Sequence, residues 1–509
     1  MKDKVVFWFG GDFTQFCMAY YFQKKYDCDM YSIVDITNKT KEFFKHQKLI
    51  SFKKTWYLHD QYDSKLEPDI NYLKKFEEKY RINLWQLAIN ERMFYNFNNF
   101  YKFSTNEMLS IVEQICRFYE SFFDEVSPDF FITKLTAFHH LELFRLMCKH
   151  HGTKILMLSV PKIAHKSLIS EDDNRIDYVN DINNVDCEEK NFKDLEKDLE
   201  KLSTKKMVKE LWDNHASNSM INNMKSLFKF LKSDNQNIKT NYNYYGRTKS
   251  NVIKNAIGLS LRKKYRESFM NRNFIRNPDL TIPYVYFPLS IILERGILIG
   301  TPYFTNQTEV LRHIAKSLPI GYRILVKEHP QQKSREWRKI SEYKDIMNIP
   351  NVTLIHHSFS ETELLKNSSL VFSIAGSSAF EATFYGKPSI VFADLIYSYL
   401  PSVSKVAAIE DLSNIIKRSL KTKVQPNDIG KFLKLLSENL VDFDHFKFMF
   451  SDFYRHFYLS GGYLDSEIDE NELKLFLDEQ KEILENLSIV HIEKIKQHKQ
   501  HIQKNDIVG

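Results

Sequence analysis

Five consecutive apolar residues, Val5-Val6-Phe7-Trp8-Phe9, run straight into Gly10-Gly11. A strand with one wet face alternates apolar and polar residues. An unbroken run closed by glycines therefore describes a strand buried on both faces and followed by a tight turn. Such strands belong to parallel sheets, whose crossovers place helices over the faces. The next 160 residues keep this rhythm. Phe13 to Lys25 has helical spacing, Met30 to Ile36 reads as a strand, and Phe130-Phe131-Ile132-Thr133 as another. His139 to His150 predicts a helix stopped by Gly152, and Lys154 to Val160 predicts the strand after it. The stretch between, roughly 60–125, reads as aromatic-rich helices.

A second block of the same kind begins at Pro283. Tyr284 to Leu289 and Tyr322 to Val326 predict buried strands. Between them Asn306 caps a helix carrying Val310, Leu311, Ile314 and Leu318. Asn351 to His356, Leu370 to Ile374 and Ser389 to Ala393 are further strands. Ser360 to Glu363 makes a capping box, and Gly376 turns the chain into a helix that Gly386-Lys387-Pro388 stops. The expected organisation is α/β in four parts. Residues 1–170 are expected to form one domain with a parallel sheet covered by helices, and 171–280 a charged, mostly helical insertion or linker. Residues 281–420 are expected to form a second βαβ domain, and 421–509 C-terminal helices ending in a solvated, fraying tail with His491, His498 and His501.

Composition narrows the function classes. The 72 aromatic residues among 509 exclude a mainly disordered chain, and the 43% hydrophobic share is enough for sizeable cores. A net charge of +7 is too small and too dispersed for a dedicated nucleic-acid binder, although it suits anionic substrates or lipid headgroups. Five scattered Cys without a C-x-x-C pair fit a reducing compartment and exclude a cysteine-built zinc site. No apolar run reaches the roughly 18 residues of a spanning helix. The expectation is a cytoplasmic protein, with a peripheral place at the inner face of a membrane left open.

Two segments carry chemistry. Lys327-Glu328-His329-Pro330 stands where a buried strand ends, the place where open α/β sheets bind ligands. Lys327 supplies a point charge, His329 a hydrogen bond or a proton, and Pro330 turns the loop outward. A solvated loop with His329 bonded to backbone is the competing reading. The second segment, Ser373 to Glu381, is strand, glycine turn and helix start. Gly376 allows close backbone approach, while Ser377, Ser378 and the first helical N–H groups favour a phosphate. Locally, Ser378 and Glu381 also have the spacing of a capping box. Glu381 is equally suited to accept hydrogen bonds from ribose hydroxyls.

These segments, with Tyr286-Phe287-Pro288-Leu289, Pro302 to Gln307, Ile314 to Pro319 and Gly386-Lys387-Pro388, resemble the capsular and surface polysaccharide biosynthesis proteins. The likeness covers roughly 283–420, about a quarter of the chain. It implies a GT-B glycosyltransferase with two Rossmann-like domains facing a cleft. The pairing of Lys-x-His-Pro with a serine pair at a helix start is similar to that of bacterial sialyltransferases and Kdo transferases. It is also similar to that of teichoic-acid polymerases that use CDP-glycerol. The resemblance implies that His329, Ser377 and Ser378 hold a donor phosphate with Lys327 nearby, and that Glu328, Pro330, Gly376, Glu381 and Glu294 complete the donor site. One departure is clear: family members often read Gln-Pro-Glu where this chain has Ile292-Leu293-Glu294.

The implied activity is transfer of a sugar from a nucleotide-activated, CMP-type donor to a glycan or lipid-linked acceptor. It needs no tightly bound cofactor or metal and no nucleic acid. The acceptor hydroxyl needs a base, expected in the first domain. Asp12 after Gly10-Gly11 is the leading choice, ahead of His139, His140 and Glu142; for each a packing or capping role competes. His356-His357 stands at another strand end. The alternatives are a CDP-alditol phosphotransferase, a nucleotide-sugar epimerase and a catalytically inactive homologue that acts as a scaffold.

Overall fold

The structure is a computed structural model. It describes residues 2–63, 66–95, 99–161, 165–179, 181–202, 219–232, 242–292, 294–332, 336–459 and 466–508. Leu293, and the parts of the expected insertion at 203–218 and 233–241, lie outside these residues. In chain order the strands are β1 (Lys4–Phe9), β2 (Asp29–Val34), β3 (Lys54–Tyr57), β4 (Phe130–Lys134), β5 (Lys154–Ser159) and β6 (Ser167–Ser170). There follow β7 (Tyr284–Pro288), β8 (Arg323–Lys327), β9 (Val352–Ile355), β10 (Leu370–Ser373), β11 (Ser389–Val391), β12 (Val403–Lys405) and β13 (Leu440–Val441).

The chain forms two α/β units. The first comprises 1–173, 203–251 and 440–509; the second comprises 174–202 and 252–439. The block expected as an insertion is thus shared between the two units, and the chain from 440 onward returns to the first.

In the first unit the sheet order is β13-β6-β5-β4-β1-β2-β3. β1 to β5 are parallel, and β6 and β13 are antiparallel additions at one edge. The apolar run of β1 is buried on both faces. Val5, Phe7 and Phe9 enter one core, while Val6 and Trp8 enter the other. That is the period of two a strand imposes on its side chains. After Gly10-Gly11 the chain turns through Phe13, whose φ of 56° is unusual for a bulky residue. Its ring stacks on Phe453 at 4.8 Å, which holds it there.

In the second unit the order is β12-β11-β10-β7-β8-β9, all parallel. Taken in chain order within each unit, both sheets wind outward from a central pair in the Rossmann sense, 3-2-1-4-5-6. The chain therefore has two Rossmann-like units. The direction of winding reverses between β1 and β4 in the first unit and between β7 and β10 in the second. In open sheets of this kind, loops diverge at such points and ligands bind beyond the strand ends.

The C-terminus corrects one expectation. Residues Lys481–Val508 form a helix rather than a fraying tail. Leu484, Leu487, Ile492 and Ile495 enter the core of the first unit, and His491 is buried with its ring bonded to Leu487 O at 2.8 Å. Lys25–Glu485 and Lys499–Asp3 ion pairs fasten this helix to the N-terminus. The apolar spacing of one helical face was present in the sequence, but the many Lys and His residues around it masked the pattern.

Candidate active site

In the second unit Lys327 and Glu328 are buried, His329 is half-buried and Pro330 is exposed. The backbone N–H of Gln331 donates to His329 Nδ1 at 3.2 Å. A nitrogen that accepts carries no proton, so the neutral ring has its proton on Nε2. His329 therefore presents Nε2–H as a donor, the form that can bond a phosphate oxygen.

Glu328 faces the interior. It accepts from Arg338 Nε at 2.9 Å, from Tyr343 Oη at 2.8 Å and from the backbone N–H of His329 at 2.9 Å. Burial raises the Glu328 carboxyl above its ordinary range, against the pull of the Arg338 guanidinium. Arg338 also donates to Ser290 O at 2.6 Å and to Glu342 at 2.8 Å. The loops after β7 and β8 are thus tied to one guanidinium, and Glu328 positions His329 through its backbone. Sequence reasoning missed Arg338. Its signal was an Arg ten residues after a strand-end glutamate, which has no local meaning.

At the end of β10 the Ser373 Oγ accepts the N–H of Gly376 at 2.8 Å, and Tyr397 Oη donates to Gly376 O. A Cβ on Gly376 would lie 2.9 Å from that Oγ, so any side chain here would displace the Ser373 hydroxyl from its bond. The helix Ser378–Phe384 starts here with Ser377 as its N-cap, without a side-chain cap bond. The expected Ser378–Glu381 capping box is not formed. Ser378 Oγ donates to Glu361 at 2.8 Å, and Ser377 Oγ donates to Glu381 at 2.9 Å. The reason is geometric: Ser378 is already inside the helix, and Glu361 on a neighbouring helix reaches it first. Glu294 caps the short helix Arg295–Leu298 by position only, with no side-chain bond to it. Strand β7 separates β8 from β10, so the ends of these two strands stand about 10 Å apart.

The first unit gathers its charges at the same end of its sheet. Asp12 is buried, with Oδ1 accepting from Thr14 N–H at 3.1 Å and Oδ2 paired with Lys134 Nζ. Burial pushes its carboxyl up, but Lys134 and His445, with the two hydrogen bonds, hold it down to about 2. So strong an acid is a poor proton acceptor. His445, whose Nδ1 lies 3.5 Å from Thr14 Oγ1, is kept below the usual histidine range by burial, against the pull of the Asp12 carboxylate. It is the stronger base of the two. Only the return of the chain after the second unit brings it there.

The other expected histidines are engaged. His139 Nδ1 bonds Glu91 at 2.8 Å, and His140 Nε2 bonds Asp35 at 2.9 Å. Burial lowers His139; for His140 burial is outweighed by the Asp35 carboxylate, which raises it. Asp35 also meets His59 at 2.9 Å. Glu142 holds Arg145 and Thr136. His356 bonds Asn271 and Ser358, and burial lowers it to about 4. Among the described residues no group of His, Cys, Asp and Glu is arranged to hold a metal ion.

Residues 195–418 match the model of the family described as "Capsule polysaccharide biosynthesis protein". No curated protein matches the sequence. Similar solved structures include the UDP-GlcNAc 2-epimerase from Methanocaldococcus jannaschii, at 11% identity over 86% of this chain and 100% of that one, with a TM-score of 0.24. The UDP-GlcNAc 2-epimerase from Neisseria meningitidis bound to UDP-GlcNAc is 12% identical over 86% of this chain and 99% of its own, with a TM-score of 0.25. Thermosulfurimonas dismutans KpsC, a beta Kdo 2,7 transferase, is 12% identical over 70% and 98%, with a TM-score of 0.27.

Proposed function

Starting from a chain whose residues 195–418 belong with the capsule polysaccharide biosynthesis proteins, we propose that it is a glycosyltransferase of surface or capsular polysaccharide assembly. It takes a sugar from a nucleotide-activated donor of the CMP type and passes it to a glycan or lipid-linked acceptor. The observation that carries this reading is the Gln331 N–H donated to His329 Nδ1, which leaves Nε2 to carry the proton of the neutral ring at the end of β8 in a six-stranded parallel sheet.

The donor phosphate is held by His329 Nε2–H, with Lys327 at the end of the same strand. The uncapped first turn at Ser377 and Ser378 supplies backbone N–H groups. Glu381, which already accepts from a hydroxyl, accepts equally from a ribose hydroxyl. Glu328 and Pro330 shape the loop, Gly376 keeps the backbone close, and Glu294 opens the neighbouring helix. In the transfer the anomeric C–O bond to phosphate breaks and a bond to the acceptor oxygen forms. The departing phosphate keeps the electron pair, which a positioned N–H donor and a lysine stabilise. The acceptor proton goes to a base. Asp12 holds Lys134 and the backbone of Thr14, and His445, beside the Thr14 hydroxyl, is the better proton acceptor.

The test is a thermal-shift panel with CMP, CDP, UDP and GDP on the wild type and on His329→Ala. A ligand at a hundred times its dissociation constant adds about 2.7 kcal/mol of stability. Stabilisation by CMP that His329→Ala loses is the expected result. A response to CDP without CMP would favour the alditol phosphotransferase. A response to UDP alone would overturn the donor assignment, and no response to any of the four would leave a non-catalytic scaffold.

A further inference from the structure

The helix Lys249–Asn273 has two apolar faces. On one, Met270 is buried and Phe269 packs against the core of the second unit; Val252 and Leu259, half-buried, point the same way round the helix. Arg262 and Arg266 pair with Glu336. On the other, Ile253, Ile257, Leu261 and Tyr265 recur every fourth residue and are 37%, 60%, 65% and 71% exposed. They form one stripe about 18 Å long. An exposed isoleucine or leucine is ordinary when single, but four aligned on one face mark an interaction surface.

The charge on this helix indicates what meets the stripe. It carries seven Lys and Arg against Glu267 alone, in a chain whose total excess is only +7. Lys254, Lys263 and Lys264 have no ion pair among the described residues. A second copy packed face to face would bring these cations together at a cost. An anionic lipid surface satisfies both features, since apolar side chains enter the headgroup boundary while lysine stems lie along it with their ammonium groups at the phosphates. Among the described residues no helix is long and apolar enough to cross a membrane, so the contact is one of lying on the surface.

We infer that the exposed face of Lys249–Asn273 seats the protein on an anionic bilayer. The inference concerns attachment and does not depend on the donor site, because the assay below needs neither nucleotide nor turnover.

The full-length protein is sedimented with vesicles of phosphatidylcholine alone and of phosphatidylcholine with phosphatidylglycerol. It should pellet with the second, and added salt should release it in part. Ile257→Asp combined with Leu261→Asp should weaken the partition at least about tenfold. Lys254→Glu combined with Lys264→Glu, both exposed on the side of the stripe, should weaken it by a similar factor and flatten the salt dependence. Both variants should keep the wild-type melting temperature, because these side chains make no core contact. Wild-type protein left in the supernatant with phosphatidylglycerol vesicles overturns the inference, and so does unchanged pelleting of the aspartate variant. A wild-type dimer that the aspartate variant dissociates, measured by light scattering on a sizing column, would assign the face to a second copy instead.

Discussion

The Asp12 carboxylate and the Lys134 ammonium form an ion pair between the ends of β1 and β4, where the winding of the seven-stranded sheet reverses. Asp12 is buried, so removing its cation leaves a charge without compensation. Lys134→Met should cost about 3 kcal/mol at neutral pH, less what solvent recovers at a lysine that is one-quarter exposed. The pH dependence has a definite sign. The carboxyl is held at about 2 in the folded chain, below its ordinary 3.8. Its contribution is therefore complete above about pH 4 and is lost as pH falls through 2. Glu91, also lowered to about 2, acts in the same direction. Melting temperatures followed from neutral pH to strong acid should fall less steeply in Asp12→Asn than in the wild type. Parallel curves would remove Asp12 from the acid response.

Arg338 joins buried Glu328 and Ser290 O to Glu342, which is one-third exposed. Arg338→Met should destabilise by roughly 3–5 kcal/mol, because Glu328 is left buried without its counter-charge. Adding Glu328→Gln should restore part of the loss, since a neutral amide needs no counter-charge. Urea midpoints of the two single variants and the double variant measure this coupling, and simple additivity would contradict it.

The tautomer of His329 predicts a difference between two amide substitutions. The amide nitrogen of Gln reaches the place of Nε2, whereas that of Asn reaches the place of Nδ1. His329→Gln should retain more nucleotide-induced stabilisation than His329→Asn, with both close to wild type in melting temperature without ligand. Equal loss in the two would mean that Nε2–H is not the donor.

Gly246 turns the chain at a φ of +72°, and an added Cβ would lie 2.3 Å from the carbonyl oxygen of Phe100. Gly246→Ala combines a left-handed conformation, worth about 1–2 kcal/mol, with a clash against backbone that cannot swing aside. Tyr242 nearby is buried in the core of the first unit, in contact with His139 and Phe94. The variant should loosen this segment, and limited proteolysis should cut it at lower protease concentration. A wild-type cleavage pattern would show that the turn is not what docks Tyr242.

Much of the fold was legible because the signals were local. β1, β7 and β8 were read from apolar runs, and the helix His139–His150 from its periodicity. Asn306 and Ser360 cap the helices they were expected to cap. The strand ends carrying Lys327, His329 and Gly376 were placed by the same reasoning. What failed was assigning partners. Ser378 and Glu381 have capping-box spacing, yet each hydroxyl of the serine pair bonds a different carboxylate. Glu328 was expected among the donor contacts, and the structure turns it inward to Arg338.

By itself the sequence determined where strands end and helices start. Hydrophobic periodicity, glycine turns and caps act over a few residues and require no knowledge of the rest of the chain. The tertiary structure alone decided which charges meet. Lys134 stands 122 residues from Asp12, and His445 stands 431 residues from Thr14. Their meeting depends on the order of strands in the sheet and on the return of the chain after the second unit. The charges that meet there then set the chemistry, because a carboxylate facing an ammonium is a much weaker base than the same residue in solution, even against the burial that pushes its pKa up.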